Sequence, residues 1–339
     1  MNLVSFAKAY VLNKRLRDDL KAIKIAGKGY SFYAYDLCTD AGIIKELSIK
    51  PKNVSELSKK LKLKNTPQLT ALLDFLVGKK ALKYSNNKYS LTGVVPKGFS
   101  AEEDEFVEEK YPGSSEWSLL FYKHALESLK QGSRHEHLGF DDKKASELWD
   151  EVMLGPLRSF RHLAVKELLK DSDKISSIVD YGCGAGTSIV EILEEAKTPI
   201  RLIGVDNSVK MLELARERVK MINVKNKYVE LKKRDLSKPF TFKPKFDRAF
   251  CSILMNHIPQ KKRADFYKLV SSNLNENGKF VIFQLVNKNK FERVFSDWLL
   301  FVIPSHQGFP FLEDHVADIK KSFSKVEVHL GGLIVVAYK

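Results

Sequence analysis

Two patterns predict an α/β protein in which a doubly wound, mostly parallel sheet follows a smaller, mainly helical domain. The first is Ile178-Val-Asp-Tyr-Gly-Cys-Gly-Ala-Gly-Thr-Ser188, an apolar strand ending at Asp180, then a glycine turn, then a helix. The second is three stretches of helical periodicity followed by two short alternating runs within the first 96 residues. A length of 339 residues exceeds what one hydrophobic core usually holds, which supports two domains.

In chain order, residues 1–25 read as an amphipathic helix that neither domain claims by pattern. Residues 31–48 carry apolar side chains at helical spacing. Asn53-Val-Ser-Glu56 is a capping box and opens a short helix. Thr66-Pro67 opens the next, with Pro67 at its first position, and Leu69, Leu72, Leu73, Phe75 and Leu76 continue it. Asn86-Asn87 separates two alternating runs, as in a hairpin. Three helices and a hairpin make a winged helix, and the domain is expected to span residues 1–96. Residues 97–114 are acidic, with Gly and Pro, and read as a connection. That connection and further helices fill 97–165, and the sheet domain takes 166–339.

The sheet domain opens on the glycine turn. Gly182, Gly184 and Gly186 let backbone come within contact distance of a ligand, where Cβ atoms would block it. The dinucleotide fingerprint needs its third glycine at the sixth place, and Thr187 stands there, so a nicotinamide or flavin fits badly. Ile200 to Val205 is a second apolar strand, ended by Asp206. A carboxylate at that point can accept hydrogen bonds from both ribose hydroxyls of a nucleoside. Asn207-Ser208 then opens an amphipathic helix through Met211, Leu212, Leu214, Ala215 and Val219.

The formal net charge of +15 is unevenly placed: residues 1–100 carry +12, 101–150 carry −7 and 201–290 carry +13. Basic faces attract nucleic acid or anionic membrane, and are also common as solvated surface. No apolar run reaches the roughly 18 residues of a membrane span. Lys8 interrupts the apolar N-terminus and no cleavage site follows, which argues against a secretory signal. Cys38, Cys183 and Cys251 are scattered, without a CxxC pair or Cys/His ligand spacing. Neither a disulfide frame nor a metal is expected, and a reducing, cytoplasmic location fits.

The stretches VDYGCGAGTS (179–188) and LIGVDNSVKMLELARERV (202–219) resemble the class I S-adenosylmethionine-dependent methyltransferases. The resemblance implies a seven-stranded, Rossmann-like sheet. It also implies a cofactor site of Asp180, Gly182, Cys183, Gly184, Gly186, Asp206, Asn207 and Met211, with Cys183 a small spacer. Asp235-Leu236 is similar to the family's adenine-binding pair. Cys251 lies in FDRAFCSILMNHIP (246–259), which looks like the fourth strand and the loop facing the transferred methyl, and it joins the cofactor list. LNENGKFVIFQLV (274–286) and GGLIVVAYK (331–339) are similar to the fifth and last strands. A winged helix before such a domain resembles the plant and bacterial small-molecule O-methyltransferases, where it makes a homodimer. WSLLFYKHALESLKQGS (117–133) and ELWDEVMLGPLRSFRHLAVKELL (147–169) are similar to that family's helices, the second to those lining the substrate pocket.

Methyl transfer is an in-line displacement from a sulfonium, so the protein must position the acceptor and, for a phenol or alcohol, remove its proton. In the plant-type enzymes a His after the fourth strand does this. Here that register holds Asn256, with His257 one place later, and an amide is no base near neutral pH. Either His257 takes over or the acceptor needs no base, as with an ionised phenol, a thiolate or an activated carbon. His306 and His315, with Glu313, lie in a segment that closes over the substrate in that family. Trp149, Met153, Phe160, Trp298 and Phe309 are candidates for a pocket wall suited to a flat or greasy acceptor. The expected activity is O-methylation of a phenol, quinol or similar ring. A lipid-borne ring would also bring the basic surface to anionic membrane. One rival is a nucleic-acid methyltransferase gripping its target through the winged helix, although no Asn-Pro-Pro-Tyr or Asp-Pro-Pro-Tyr motif follows the fourth strand. The other is a regulator that binds the cofactor as a signal without catalysis.

Overall fold

The computed structural model describes residues 13–132, 134–170, 175–222 and 228–339. Residues 1–12, half of the helix expected over 1–25, lie outside this set. The chain forms two compact units. One comprises Leu20–Gly139 and Asn287–Phe309; the other comprises Phe140–Val286, Pro310–Lys339 and, of the described residues before Leu20, 13–19. Compactness therefore divides the chain at other points than residues 96 and 165, and it assigns 287–309 to the helical unit.

The helical unit contains most of α1 (Lys14–Asp40), then α2 (Ile43–Ile49), α3 (Val54–Leu61), α4 (Thr66–Gly78), the hairpin β1 (Leu82–Ser85) and β2 (Lys88–Leu91), α5 (Ala101–Lys110) and α6 (Pro112–Gln131). The periodicity over 31–48 is two helices, because Gly42 sits at φ 77 between them, a conformation cheap only for glycine. Asn53 and Glu56 cap α3 reciprocally. Asn86 and Asn87 have φ of 50 and 58, the left-handed pair of a type I′ hairpin turn. The acidic stretch expected as a connection is helical instead. Ser100 and Glu103 form a capping box that starts α5, and its Ala and Glu residues favour the helix. A buried charge network anchors 287–309: Asp74 accepts from Tyr89 at 2.6 Å and from Arg293 at 3.4 Å, and Arg293 reaches Asp297 at 3.0 Å.

The other unit is a seven-stranded sheet in the order β5-β4-β3-β6-β7-β9-β8. Its strands are β3 (Ser177–Tyr181), β4 (Arg201–Asp206), β5 (Tyr228–Lys233), β6 (Phe246–Ser252), β7 (Leu274–Phe283), β8 (Lys325–His329) and β9 (Ile334–Tyr338). Only β9 runs antiparallel, to both β7 and β8. Helices α7 (Lys143–Leu154) and α8 (Arg158–Leu168) precede the sheet; α9 (Thr187–Glu195), α10 (Val209–Lys220) and α11 (Gln260–Asn273) connect its parallel strands. Val179, Ile203, Val205, Ala249, Phe280, Ile282 and Val335 pack with Phe266, Tyr267 and Val270 of α11 in one core. Cys251 belongs to that core and is fully buried. Successive strands turn outward in opposite directions from β3 and β6, so a crevice opens beyond their C-terminal ends, where open α/β sheets bind ligands.

Candidate active site

At that end of the sheet, Gly182, Gly184 and Gly186 have φ of 70, 53 and 78. The N–H groups of Gly182 and Cys183 both donate to the Val205 carbonyl, at 2.8 and 3.0 Å, which pins the turn to β4. A methyl added at Gly182 would meet Leu254 at 2.8 Å, and one at Gly186 would meet Ala215 of α10 at 3.1 Å. One added at Gly184 would meet nothing within 4 Å. The first and third glycines therefore serve packing, and the middle one borders open space.

Asp206 closes this space from β4. Its carboxylate accepts from the N–H groups of Gly184 and Ser208, each at 2.9 Å. The Asn207 N–H also faces it, so one of its roughly four lone-pair directions remains for a ligand. Burial holds its pKa above the ordinary carboxylate range despite those backbone donors. Asp180 is fully buried, and neither carboxylate oxygen has a hydrogen-bond partner among the described residues. Burial first, and the Asp206 charge second, push its pKa up to about 8. At that value the acid is neutral near pH 7, which avoids the cost of an unpaired buried charge, and the Arg161 charge works the other way.

Helix α7 supplies a wall: Trp149, Asp150 and Met153 line a small pocket with residues 182–185, Thr187, Ser188 and Ser252. Two arginines lock this wall. Arg218 holds Asp150 through both guanidinium nitrogens and also donates to the Ala185 carbonyl at 2.8 Å. Arg161, fully buried, pairs with Glu191 at 2.8 Å and donates to the Met153 carbonyl at 2.6 Å. Phe140 joins wall and turn: its carbonyl accepts from Ser146 and Ser208, and its ring lies 5.8 Å from Trp149 and 5.1 Å from His257.

The loop after β6 is built by side chains. Gln284, at the end of β7, accepts from the Met255 N–H at 2.9 Å and donates to Asn256 Oδ1 at 3.3 Å. Arg263 donates to the carbonyls of Met255 and Ile258, each at 3.1 Å. Because Gln284 fixes the amide's orientation, Asn256 turns its Nδ2 toward His257 Nε2 at 2.9 Å. That nitrogen must accept, so its lone pair is engaged.

The remaining candidates separate. Asn207 is exposed next to Asp206, and Met211 is buried in α10 behind Ser208, which caps that helix. Asp235 is half-buried and turned to the Ser237 N–H and hydroxyl, beside Leu236. Phe160 is buried in α8 and is not among the residues lining the pocket at the glycine turn. Trp298 and Phe309 belong to the helical unit, where both are core residues; Trp298 packs its ring 6.4 Å from Phe75. His306, a candidate in the segment expected to close over the substrate, is instead fully enclosed there and hydrogen-bonded to Asp297 at 2.5 Å. His315 is likewise buried, held by the Tyr267 hydroxyl at 2.8 Å, while Glu313 is exposed and lies in the sheet unit. Phe140, Arg218, Gln284 and Arg263 escaped the sequence reading: Arg218 and Gln284 lie in family-like stretches but bind partners distant in sequence, and Phe140 and Arg263 sit in no motif.

Residues 172–325 match the Methyltransferase domain family. A carboxy-S-adenosyl-L-methionine synthase from Campylobacter concisus (strain 13826) is 27% identical over 147 residues, which is 42% of this chain and 59% of that protein's length. The CurJ carbon methyltransferase has a TM-score of 0.68 at 11% identity, covering 98% of this chain and 96% of that one. The CMeT domain of the citrinin polyketide synthase has a TM-score of 0.66 at 13% identity, with 97% and 90% covered. An O-methyltransferase family 2 protein from Planctomyces limnophilus DSM 3776, solved with apigenin, has a TM-score of 0.56 at 16% identity, with 96% and 95% covered. At such identities the likeness is one of fold. Residues 172–325 are thus similar to a methyltransferase domain, and the chain has the fold of the methyltransferases it resembles.

Proposed function

We propose that the protein is an S-adenosylmethionine-dependent methyltransferase acting on a flat, hydrophobic small molecule. The observation that carries this reading is the unpartnered, buried carboxylate of Asp180 behind the open space at Gly184. A ligand that brings a hydrogen-bond donor or a cationic centre to that acid fits the combination, and a ribose hydroxyl fits the remaining acceptor direction of Asp206. When bound, S-adenosylmethionine supplies a sulfonium-activated methyl group. The chain's own residues then have three tasks. Asp180 and Asp206 bind, Arg218 and Arg161 keep the pocket wall in register with the glycine turn, and Trp149, Met153 and Phe140 exclude water and orient the acceptor.

The engaged Nε2 of His257 supports an acceptor that arrives already ionised, such as the phenolate, quinolate or enolate form of an acidic hydroxyl, its proton having gone to solvent. The same pairing supports a second reading, transfer to a stabilised carbon, which also needs no imidazole base. For the helical unit we propose a winged-helix-like homodimer contact, supported by the exposed Phe32, Ile49, Val94, Val95 and Leu119. Light scattering at micromolar concentration checks this, and a monomer refutes it.

Calorimetry with S-adenosylmethionine and with its demethylated product tests the main reading. Asp206→Ala should weaken binding about ten- to a hundredfold, the loss of a charge-assisted contact. No binding of either compound by the unmutated protein overturns it. Labelled-methyl transfer to phenols against β-dicarbonyl compounds then separates oxygen from carbon acceptors.

A further inference from the structure

We propose that His124, Glu127 and His135 form a site for one zinc-type divalent ion in the helical unit. His124 and Glu127 are three residues apart on α6 and so share a face of the helix. Gly132, at φ 75, ends that helix and turns the chain back. His135 is then held in place from behind. Its N–H donates to the Val302 carbonyl at 3.2 Å, and the neighbouring Arg134 donates to the carbonyls of Pro304 and His306 at 2.8 and 2.9 Å.

Both imidazoles aim at the same carboxylate oxygen. His124 Nδ1 lies 3.8 Å and His135 Nε2 lies 3.7 Å from Glu127 Oε2, and the ring centroids are 4.7 Å apart. The three ligand atoms all lie within 4.8 Å of one another. Tetrahedral zinc with bonds of about 2.0–2.1 Å places neighbouring ligand atoms about 3.3–3.5 Å apart, so small side-chain rotations close the set. His135 Nε2 is buried and has no hydrogen-bond partner among the described residues. A buried ring nitrogen facing a carboxylate oxygen without a hydrogen bond calls for a positive group between them. Two imidazoles and one carboxylate select zinc, nickel or copper over magnesium and calcium, and three protein ligands leave a fourth position for water. The sequence hides the site because its third member is a carboxylate and a helix end intervenes.

The test uses the full chain without a histidine tag, stripped with chelator and titrated with Zn²⁺ against a chromophoric chelator. One ion per chain is expected, undisturbed by excess Mg²⁺. His135→Ala and Glu127→Gln should each lower affinity at least about tenfold, a lost ligand in a three-ligand site. His162→Ala, on a helix of the sheet unit, should leave it unchanged. Circular dichroism of the zinc-free variants separates lost binding from lost folding. On the unmutated chain, zinc should protect His124 and His135 from diethylpyrocarbonate, mapped by mass spectrometry. Absence of stoichiometric binding, or equal modification of both histidines with and without zinc, overturns the site.

Discussion

The loops after β3 and after β6 close the same end of one sheet by opposite means. The first owes its shape to backbone: three glycines at positive φ and two N–H groups fastened to Val205. The second contains no glycine. It carries a non-glycine residue, Ile253, at φ 50, and it is held from outside by Gln284 and Arg263. Where the chain must let a ligand approach its backbone, the sequence is constrained to glycine. Where a loop must present side chains, it relies on partners elsewhere in the fold. The two loops meet at one contact, Leu254 against the space beside Gly182.

Alanine at the first two glycines breaks the comparison most strongly, and in different ways. Gly182→Ala combines left-handed strain with a methyl 2.8 Å from Leu254, and should destabilise the fold by about 2–4 kcal/mol in urea denaturation. Gly184→Ala carries the strain alone, about 1–2 kcal/mol. Its methyl points into open space, so its main effect should be on the ligand, at least about a tenfold loss in cofactor affinity by calorimetry. Equal cofactor binding by Gly184→Ala and the unmutated protein would show that the ligand does not pass over this glycine.

Gln284→Leu tests the second loop. It leaves the Met255 N–H and Asn256 Oδ1 buried without their partner, for about 1–3 kcal/mol of stability. Turnover should fall while cofactor affinity stays within about twofold, a split that a general loss of folding does not give. A parallel loss of both would mean that the two loops are one mechanical piece.

Asp180 ties the first loop to pH. Its folded pKa, raised to about 8, exceeds the ordinary carboxylate value of about 3.9. The folded state therefore binds more protons than the unfolded state across that interval, and stability declines as pH rises through it. Asp180→Asn stays neutral throughout. Without cofactor, its melting temperature should gain on that of the unmutated protein between about pH 4 and pH 8. A constant difference across that range would contradict an unpartnered carboxylate.

Much of the glycine-turn end of the sheet was legible because turn geometry and strand ends write themselves into residue type: Gly182, Gly184 and Gly186 take positive φ, and Asp206 ends β4. The acceptor end was not. Gln284 works on a loop 28 residues earlier in the chain, and Phe140 reaches across 68 residues to Ser208. No local pattern encodes such pairs. Acidic composition also misled at 97–114, although Ser100 and Glu103 were a capping box in plain view. His306 could not be known as a core residue until Asp297 was seen beside it.

The smallest effect is expected at His257. A general base that takes a proton in the transition state contributes about 10²–10⁴ in rate. Such a base needs a lone pair facing the acceptor. Here the amide of Asn256 donates to Nε2 at 2.9 Å, and Gln284 prevents that amide from turning over. Accepting a substrate proton at this nitrogen would first require breaking the hydrogen bond from the Asn256 amide, at a net loss of about 1 kcal/mol. His257→Ala should therefore lower turnover by less than about tenfold, through the lost ring contact with Phe140, and leave the pH–rate profile unchanged. Asn256→Ala sharpens the point, because it frees Nε2. If the imidazole is capable of base work, that variant alone should gain a rate limb that the unmutated protein lacks. A hundredfold loss in His257→Ala, together with disappearance of such a limb, would instead make His257 the base and leave oxygen the preferred acceptor.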